Sequence, residues 1–393
     1  MLDPNGRPFR VLLGALSMVS SLALDMSLPA LPALVIGFAT SAAKVQLTIS
    51  AYLIGYAGGQ LIYGPLSDRF GRRPMLLTGM ALYTVAACFC AIAPTIETFV
   101  FLRLMQGLGG CVGVVVTRAT ARDYFSGPKL GQILSSITAV QAFGPLLAPV
   151  IGGLLVTHVS WRAIFLVQGG CAALALFAAW KGFGESLPAG NPHAIRPRHL
   201  LGNYYTFFAN PRCIGYALIS ACVFAGLFTV LSASPFVLID IYHLSSEAYG
   251  FFFGFSVLGY MLGSLVNRRL LHRGAQGQAI LRWGIVVLVG AGSALAIDAA
   301  TAWGGPLGIM APYFVYCIAL SLVQPNAIAA AMEPVPHMAG TGAALIGAVQ
   351  MSAGAAAGFA ADLFFAGTAI PMGIGVVTAA FGAAAAYYFI ARR

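Results

Sequence analysis

Charge is the scarcest property of this sequence. Asp, Glu, Lys and Arg make up 8% of its 393 residues, and only 11 of these are acids, whereas a soluble globular chain carries roughly a quarter charged residues. Too little polar surface is available to solvate a water-exposed fold. Period-two alternation over short segments, the mark of a membrane barrel, is also lacking, which excludes that alternative. No H-E-x-x-H and no G-x-x-x-x-G-K-[S/T] occurs, so neither a zinc protease site nor ATP drive by this chain is expected. The six histidines form no cluster: His193, His199, His243, His272 and His337 fall in or near loops and His158 at a helix end. The seven cysteines are odd in number, and Cys88, Cys90, Cys111, Cys171, Cys222 and Cys317 sit inside apolar runs. They read as small packing residues, not as a disulfide or metal framework.

What is present is hydrocarbon. Hydrophobic residues reach 59% and mean hydropathy is +0.87. Apolar runs near the ~20 residues needed to cross a bilayer as helix recur at about 8–38, 44–66, 74–94, 98–120, 129–156 and 161–181, then at 213–240, 247–267, 278–299, 303–327, 338–364 and 369–390. The expected fold is all-α, with twelve transmembrane helices in two six-helix bundles. The basic start followed by an apolar run could be mistaken for a signal peptide, but the run outlasts a signal h-region and more spans follow.

The net charge of +10 follows from the same layout. With the N-terminus inside, 18 of the 21 Lys and Arg fall on inner segments: Arg7, Arg10, Arg69, Arg72, Arg73, Arg118, Arg122, Lys129, Lys181, Arg196, Arg198, Arg212, Arg268, Arg269, Arg273, Arg282, Arg392 and Arg393. Lys44 and Arg162 go outside and Arg103 falls within the fourth span. The positive-inside rule accounts for this and places both termini in the cytoplasm. No nucleic-acid partner is expected, because no contiguous basic face with stacking aromatics is present.

Hydrophobicity lapses for about thirty residues between the sixth and seventh runs, the length of a linker between halves. The expected units are 1–181, a cytoplasmic linker loop at 182–212, and 213–393. A short internal match supports two parallel repeats: Gly64, Leu66 and Arg69 correspond to Gly263, Leu265 and Arg268 at an offset of 199, as Gly55 does to Gly254.

The loop behind that match reads "GPLSDRFGRRP" from Gly64. Its form, G-x-L-x-D-R-x-G-R-R, resembles the signature between helices 2 and 3 of the major facilitator superfamily. "RLMQGLGG" at 103–110 resembles that superfamily's helix 4 motif, and "GPLLAPVIGG" at 144–153 its helix 5 antiporter motif. "LDMSLPALP" with "ESLP" after helix 6 is most similar to the Bcr/CflA drug-resistance subfamily. The resemblance implies proton-coupled export of small, largely apolar drugs or metabolites, of the chloramphenicol, sulfonamide or bicyclomycin kind. It also implies a bacterial inner membrane, protons and lipid as partners, no cofactor beyond the proton gradient, and a monomer.

Asp25 interrupts an otherwise uncharged run from Val11 to Ala43. A charged side chain at mid-bilayer costs ~2.5–3.5 kcal/mol or more, so it reads as functional by default. Asp25 and Arg103 each lie about 17 residues, roughly 25 Å at 1.5 Å per residue, from the inner ends of their helices. A shared polar cavity and a static buried ion pair are the two readings of that coincidence. Burial and a nearby cation act on a carboxylate in opposite directions, so Asp25 can titrate during a cycle. By resemblance Asp25 is the proton carrier and Arg103 tunes it or contacts substrate. Some multidrug relatives carry a second acid two turns earlier, where Ser17 stands here.

Pro145 and Pro149 should bend the fifth helix, while Gly144, Gly152 and Gly153 permit a close neighbour. In the family reading this seam joins the halves. Gly64, Asp68, Arg69, Gly71, Arg72 and Arg73 form the expected conformational latch. Asp68 faces a helix N-terminus, and by resemblance Arg72 pairs with Asp123. Asn267 replaces Asp68 in the second half. Tyr52, Tyr56, Gln60, Gln106, Gln141, Phe228, Phe236, Gln324, Asn326 and Gln350 could line the cavity, with helix-to-helix hydrogen bonds or core packing as the other reading. Symport of a small metabolite is the alternative function. An enzyme would need a nucleophile with its base, or a metal set, at membrane depth, and neither is in evidence. Sequence does not choose among the candidate compounds.

Overall fold

The structure, a computed structural model, describes residues 2–141, 143–187, 197–335, 339–364 and 367–391. The apolar runs close their backbone hydrogen bonds internally, the only open-ended solution in hydrocarbon, and no strand occurs among the described residues. The first six spans are α1 (Arg7–Asp25) with α2 (Leu31–Gly37), α3 (Ala42–Phe70), α4 (Arg72–Ala91), α5 (Ile96–Tyr124), α6 (Gly127–Gln141) with α7 (Phe143–His158), and α8 (Trp161–Gly182). After α9 (Pro197–Ala209) come α10 (Pro211–Pro235), α11 (Ser246–His272), α12 (Gly277–Thr301), α13 (Gly305–Met332), α14 (Ala339–Leu363) and α15 (Ile370–Ala386). Twelve spans result among the described residues. Eleven are long and apolar enough to be recognised on those grounds; α3 has the length but carries Lys44, Gln46, Gln60, Asp68 and Arg69.

Two spans expected as single rods depart from a continuous α-helix. The first ends as α-helix at Asp25, passes through a tight 3₁₀ turn at Leu28–Ala30 and restarts at Leu31. Pro29 and Pro32 are the cause. Neither has an N–H, so the carbonyls of Asp25 and Leu28 lose their i+4 donors. Ser27 Oγ compensates locally by donating to Leu24 O at 2.8 Å. In the seventh, Pro235 is followed by a π-helical stretch, Phe236–Ile241. The expected linker loop at 182–212 also contains a helix, α9, started by Pro197 at a first-turn position. Its Phe207 is fully buried and packs near Gly342 of α14. Part of that linker, and His193, Arg196, His337, Arg392 and Arg393, lie outside the described residues.

Within the first half, α3 and α5 approach backbone to backbone. A Cβ on Gly55 would overlap Leu104 O, and one on Gly107 would overlap Tyr52 O; glycine on both sides is what allows this approach. The halves meet at the end of the bundle away from the termini. There Gln46 Nε2 donates to Ser232 O at 3.4 Å and Ser50 Oγ to Ala355 O at 3.3 Å, and His158 Nε2 lies 3.8 Å from Glu247 Oε2.

Candidate functional site

The break in the first span positions the site. Arg103, on the glycine-rich face of α5, is 1% exposed. Its guanidinium donates to Ala23 O at 3.1 Å, Gln106 Oε1 at 2.6 Å and Ser27 Oγ at 3.4 Å. The ring of Tyr52 lies 4.7 Å away and that of Phe165 5.8 Å away, contacts worth ~0.5–2 kcal/mol each when desolvated. Gln106 Nε2 passes the network to Gln168 Oε1 at 3.0 Å, and Gln168 donates back to Leu22 O and Ala23 O, both at 3.3 Å. Tyr52 and Tyr83 hydroxyls donate to Ser20 O and Val19 O at 2.8 and 3.2 Å. A buried cation is thus held by neutral acceptors, two on the first span and one on α5 itself.

Asp25 is not one of those acceptors. Among the described residues no ion pair joins it to Arg103, which overturns the static-pair reading. The geometry explains why. Arg103 bonds residues two before and two after Asp25, and two residues along a helix is more than half a turn. The carboxylate therefore points to the opposite side. There it comes within electrostatic reach of Tyr249 on α11 and Tyr313 on α13, both in the second half. Tyr249 is itself held by Ser234, 3.1 Å from its hydroxyl. Asp25 is 7% exposed and, among the described residues, accepts no hydrogen bond from the protein. The tyrosines escaped sequence reasoning because single aromatics in membrane helices are usually packing residues.

The antiporter stretch lies beside this acid. Gly152 abuts Met26 O and Gly144 abuts Met18 and Ser21 of the first span. Gly153 turns to the other half, against Ser246 O and Glu247 Cα, while Gly250 of α11 abuts Pro149 O and Val150 Cα. Gly254 continues the contact toward Leu146 O. Pro145 is partly exposed and Pro149 buried.

At the end carrying the termini, Gly71 has φ +100°, a conformation glycine adopts without strain, and it joins α3 directly to α4. Arg72 Nε pairs with Asp123 Oδ2 at 3.0 Å, and Arg72 also pairs with Asp68 one turn earlier. Asp68 thus faces Arg72, not a helix N-terminus; the first-turn amides of α4 are taken by Glu185 of the "ESLP" stretch, which accepts from Arg72 N at 2.9 Å and Arg73 N at 3.0 Å. An acid at a helix N-terminus suits the helix dipole, a role for Glu185 that sequence reasoning missed. Arg73 donates to Trp180 O at 2.7 Å, Arg69 lies over Phe70, and Gly64 has open space around it. In the second half Asn267 accepts from Asn326 at 2.9 Å, a neutral pair.

Of the residues expected to line a cavity, Tyr56, Gln60, Gln141 and Asn326 are partly exposed, and the Gln60 amide lies against Gly347 of α14. Tyr52, Gln106, Phe228, Phe236, Gln324 and Gln350 are buried. The polar ones are absorbed by helix-to-helix bonds: Ser220 Oγ to Gln324 Oε1 at 2.9 Å and Gln350 Nε2 to Ser220 Oγ at 3.0 Å. Phe228 packs on Gly354.

The fork geometry of Arg103 gives one expected result. Arg103→Lys keeps the charge but loses the simultaneous reach to Ala23, Ser27 and Gln106. Losing one charge-assisted hydrogen bond costs ~1.5–3 kcal/mol, so the variant should melt several degrees lower and transport about tenfold more slowly. An unchanged melting curve would show that the network does not hold the broken helix.

Comparison with known proteins places these features. The family described as Major Facilitator Superfamily matches residues 13–359. The chain is 31% identical over 386 residues, 98% of its length and 96% of the relative's, to a bicyclomycin resistance protein homolog of Haemophilus influenzae. It is 30% identical to a chloramphenicol resistance protein of Pseudomonas aeruginosa, over 84% of this chain and 78% of that one. A crystal structure of a D-xylose-proton symporter superposes with TM-score 0.75 at 15% identity, covering 98% of both chains, a likeness of fold alone.

Proposed function

Because the chain belongs to the major facilitator superfamily, we propose that it is a proton-coupled exporter of small, largely apolar compounds, working by alternating access between its two six-span halves. The observation that carries this reading is Asp25: a buried carboxylate at the break in the first span, with no hydrogen bond or ion pair among the described residues, within electrostatic reach of tyrosines of the other half. Such a group can exchange a proton for a bound solute as the halves rock. One proton supplies ~2.3 kcal/mol per 100 mV and ~1.4 kcal/mol per pH unit, enough for a gradient of a few hundredfold, about tenfold per 1.4 kcal/mol. One titrating site suffices. The names of the relatives support bicyclomycin-like or chloramphenicol-like solutes, with sulfonamides or a metabolite of similar polarity as further candidates.

The basic end of the bundle, with both termini, is the cytoplasmic side of a bacterial inner membrane. The halves touch at the opposite end, so this conformation opens inward. The Arg72–Asp123 and Asp68–Arg72 pairs at the inner end act as the latch, and the glycine seam of α7 and α11 seals the outer side. The units are residues 1–181 and 213–393, working as a monomer with no cofactor.

In efflux-deficient cells, expression should lower chloramphenicol or bicyclomycin accumulation, and a protonophore should restore it. Accumulation that rises on expression would instead favour proton symport.

A further inference from the structure

A groove between α4 and α8 on the first half takes no part in the transport site. It holds about 480 Å³, within the ~300–1,000 Å³ range of small-molecule clefts. Leu77 and Ala81 line it from α4, and Ala173, Leu176, Phe177 and Trp180 from α8. Thr78 also borders it, but its hydroxyl donates back to Pro74 O at 3.0 Å and Met75 O at 3.1 Å, which leaves the wall apolar. Phe177 and Trp180 are 52% and 56% exposed, so the groove opens to the lipid side. Its residues fall within about the first three turns of α4 and the last three of α8, at the end where the latch lies.

Two cations are tied to its rim. Arg73 Nη2 donates to Trp180 O at 2.7 Å, and Lys181 Nζ lies 4.7 Å from the centroid of the Phe177 ring. Among the described residues neither enters an ion pair. The acid beside Arg73 is Glu185, which accepts from the amides of Arg72, Arg73, Ser186 and Leu187 at 2.9–3.1 Å; Asp123 is engaged by Arg72 and Ser186. The positive-inside rule explains cations at this end, yet it does not require two of them on the rim of one apolar groove. Arg73 also sits in the first turn of α4, where the helix dipole disfavours a cation and favours an anion.

From this arrangement we propose that the groove binds one diacyl phospholipid with an anionic headgroup, its phosphate held by Arg73 and Lys181 and an acyl chain lying along Leu77, Ala81 and Phe177. The site is independent of the compound transported. Chain burial selects no particular lipid, since hydrocarbon replaces hydrocarbon; it fixes the depth of the occupant and leaves discrimination to the headgroup. Each cation near the membrane surface favours an anionic headgroup about fivefold, so the two together give roughly thirtyfold over a zwitterionic one. Trp180 is the interface anchor, an aromatic ring at headgroup level. The occupant braces the start of α4, which carries the latch arginines, against the end of α8, where the linker between the halves begins.

The test uses detergent-purified, delipidated full-length protein offered equal amounts of dioleoylphosphatidylglycerol and dioleoylphosphatidylcholine, with the first retained lipid read by native mass spectrometry. Wild type should prefer phosphatidylglycerol roughly thirtyfold, Lys181→Gln about sixfold, and the double variant Arg73→Gln with Lys181→Gln not at all. Lys181→Arg should match wild type, as should Arg212→Gln, a control at the start of α10 in the second half. Lys181 is exposed, so its variants read the site even if the double variant folds poorly. Filling the groove with Ala173→Phe should lower retention of phosphatidylglycerol about tenfold, and excess glycerol 1-phosphate, which lacks the chains, should displace none. No preference by wild type, a preference unchanged in Lys181→Gln, or an equal fall in Arg212→Gln would overturn the proposal. Retention unaffected by Ala173→Phe, or displacement by glycerol 1-phosphate, would overturn it in favour of a site for free phosphate esters.

Discussion

Asp25→Asn is expected to abolish uphill transport while sparing binding and exchange. Asparagine matches aspartate in shape, and among the described residues Asp25 makes no hydrogen bond or ion pair that the amide would break, so the broken first span should fold as before. What disappears is the capacity to take up and release a proton. In liposomes with an imposed pH gradient, wild-type protein should build a solute gradient of about tenfold per pH unit for one proton exchanged electroneutrally; the variant should build none. Counterflow, which needs no net proton movement, should persist within a few-fold of wild type. Loss of both would mean that Asp25 serves the structure of the helix break or the solute contact itself. Retention of both would remove Asp25 from coupling.

The second large effect concerns the seam between α7 and α11. A Cβ on Gly250 would overlap the Pro149 carbonyl oxygen, and one on Gly153 would meet Ser246 O at 2.5 Å. Backbone cannot rotate aside as a side chain can. Overpacking costs ~1–3 kcal/mol, and here it acts on one state of the cycle, because the contact lies between the halves and not inside either. Gly250→Ala should slow transport about tenfold and Gly250→Val more, with each protein still purified folded and substrate-binding. Gly64→Ala is the control at the other end: nothing lies within 4 Å of that position in this conformation, so any loss of transport there reports the opposite state. Normal turnover by Gly250→Val would mean that the seam need not close so tightly.

These residues also show which features a sequence can announce. Hydropathy marks a span wherever about twenty apolar residues run together, so the twelve-span fold was legible, α3 included, despite its glutamines. Prolines are local too: Pro29 and Pro32 could have placed the break at Asp25, but the apolar pattern on both sides argued for one long helix from 8 to 38. The equal depth of Asp25 and Arg103 was readable by counting residues. Their turning away from each other was not, because facing depends on how the helix ends and what packs behind it. Tyr249 and Tyr313 carry no local signal, since only the tertiary packing of the second half brings them to Asp25. Glu185 looked like part of a family stretch, and its seat on the first turn of α4 depends on a contact across more than a hundred residues.

Proton release on substrate addition tests the central claim most directly. Detergent-purified protein in weak buffer with a pH dye should release protons when chloramphenicol or bicyclomycin is added, and Asp25→Asn should bind the same compound with no release. Equal release from the variant would contradict the assignment of Asp25 as the exchange site, and binding to wild type with no release at all would contradict proton-for-solute exchange itself.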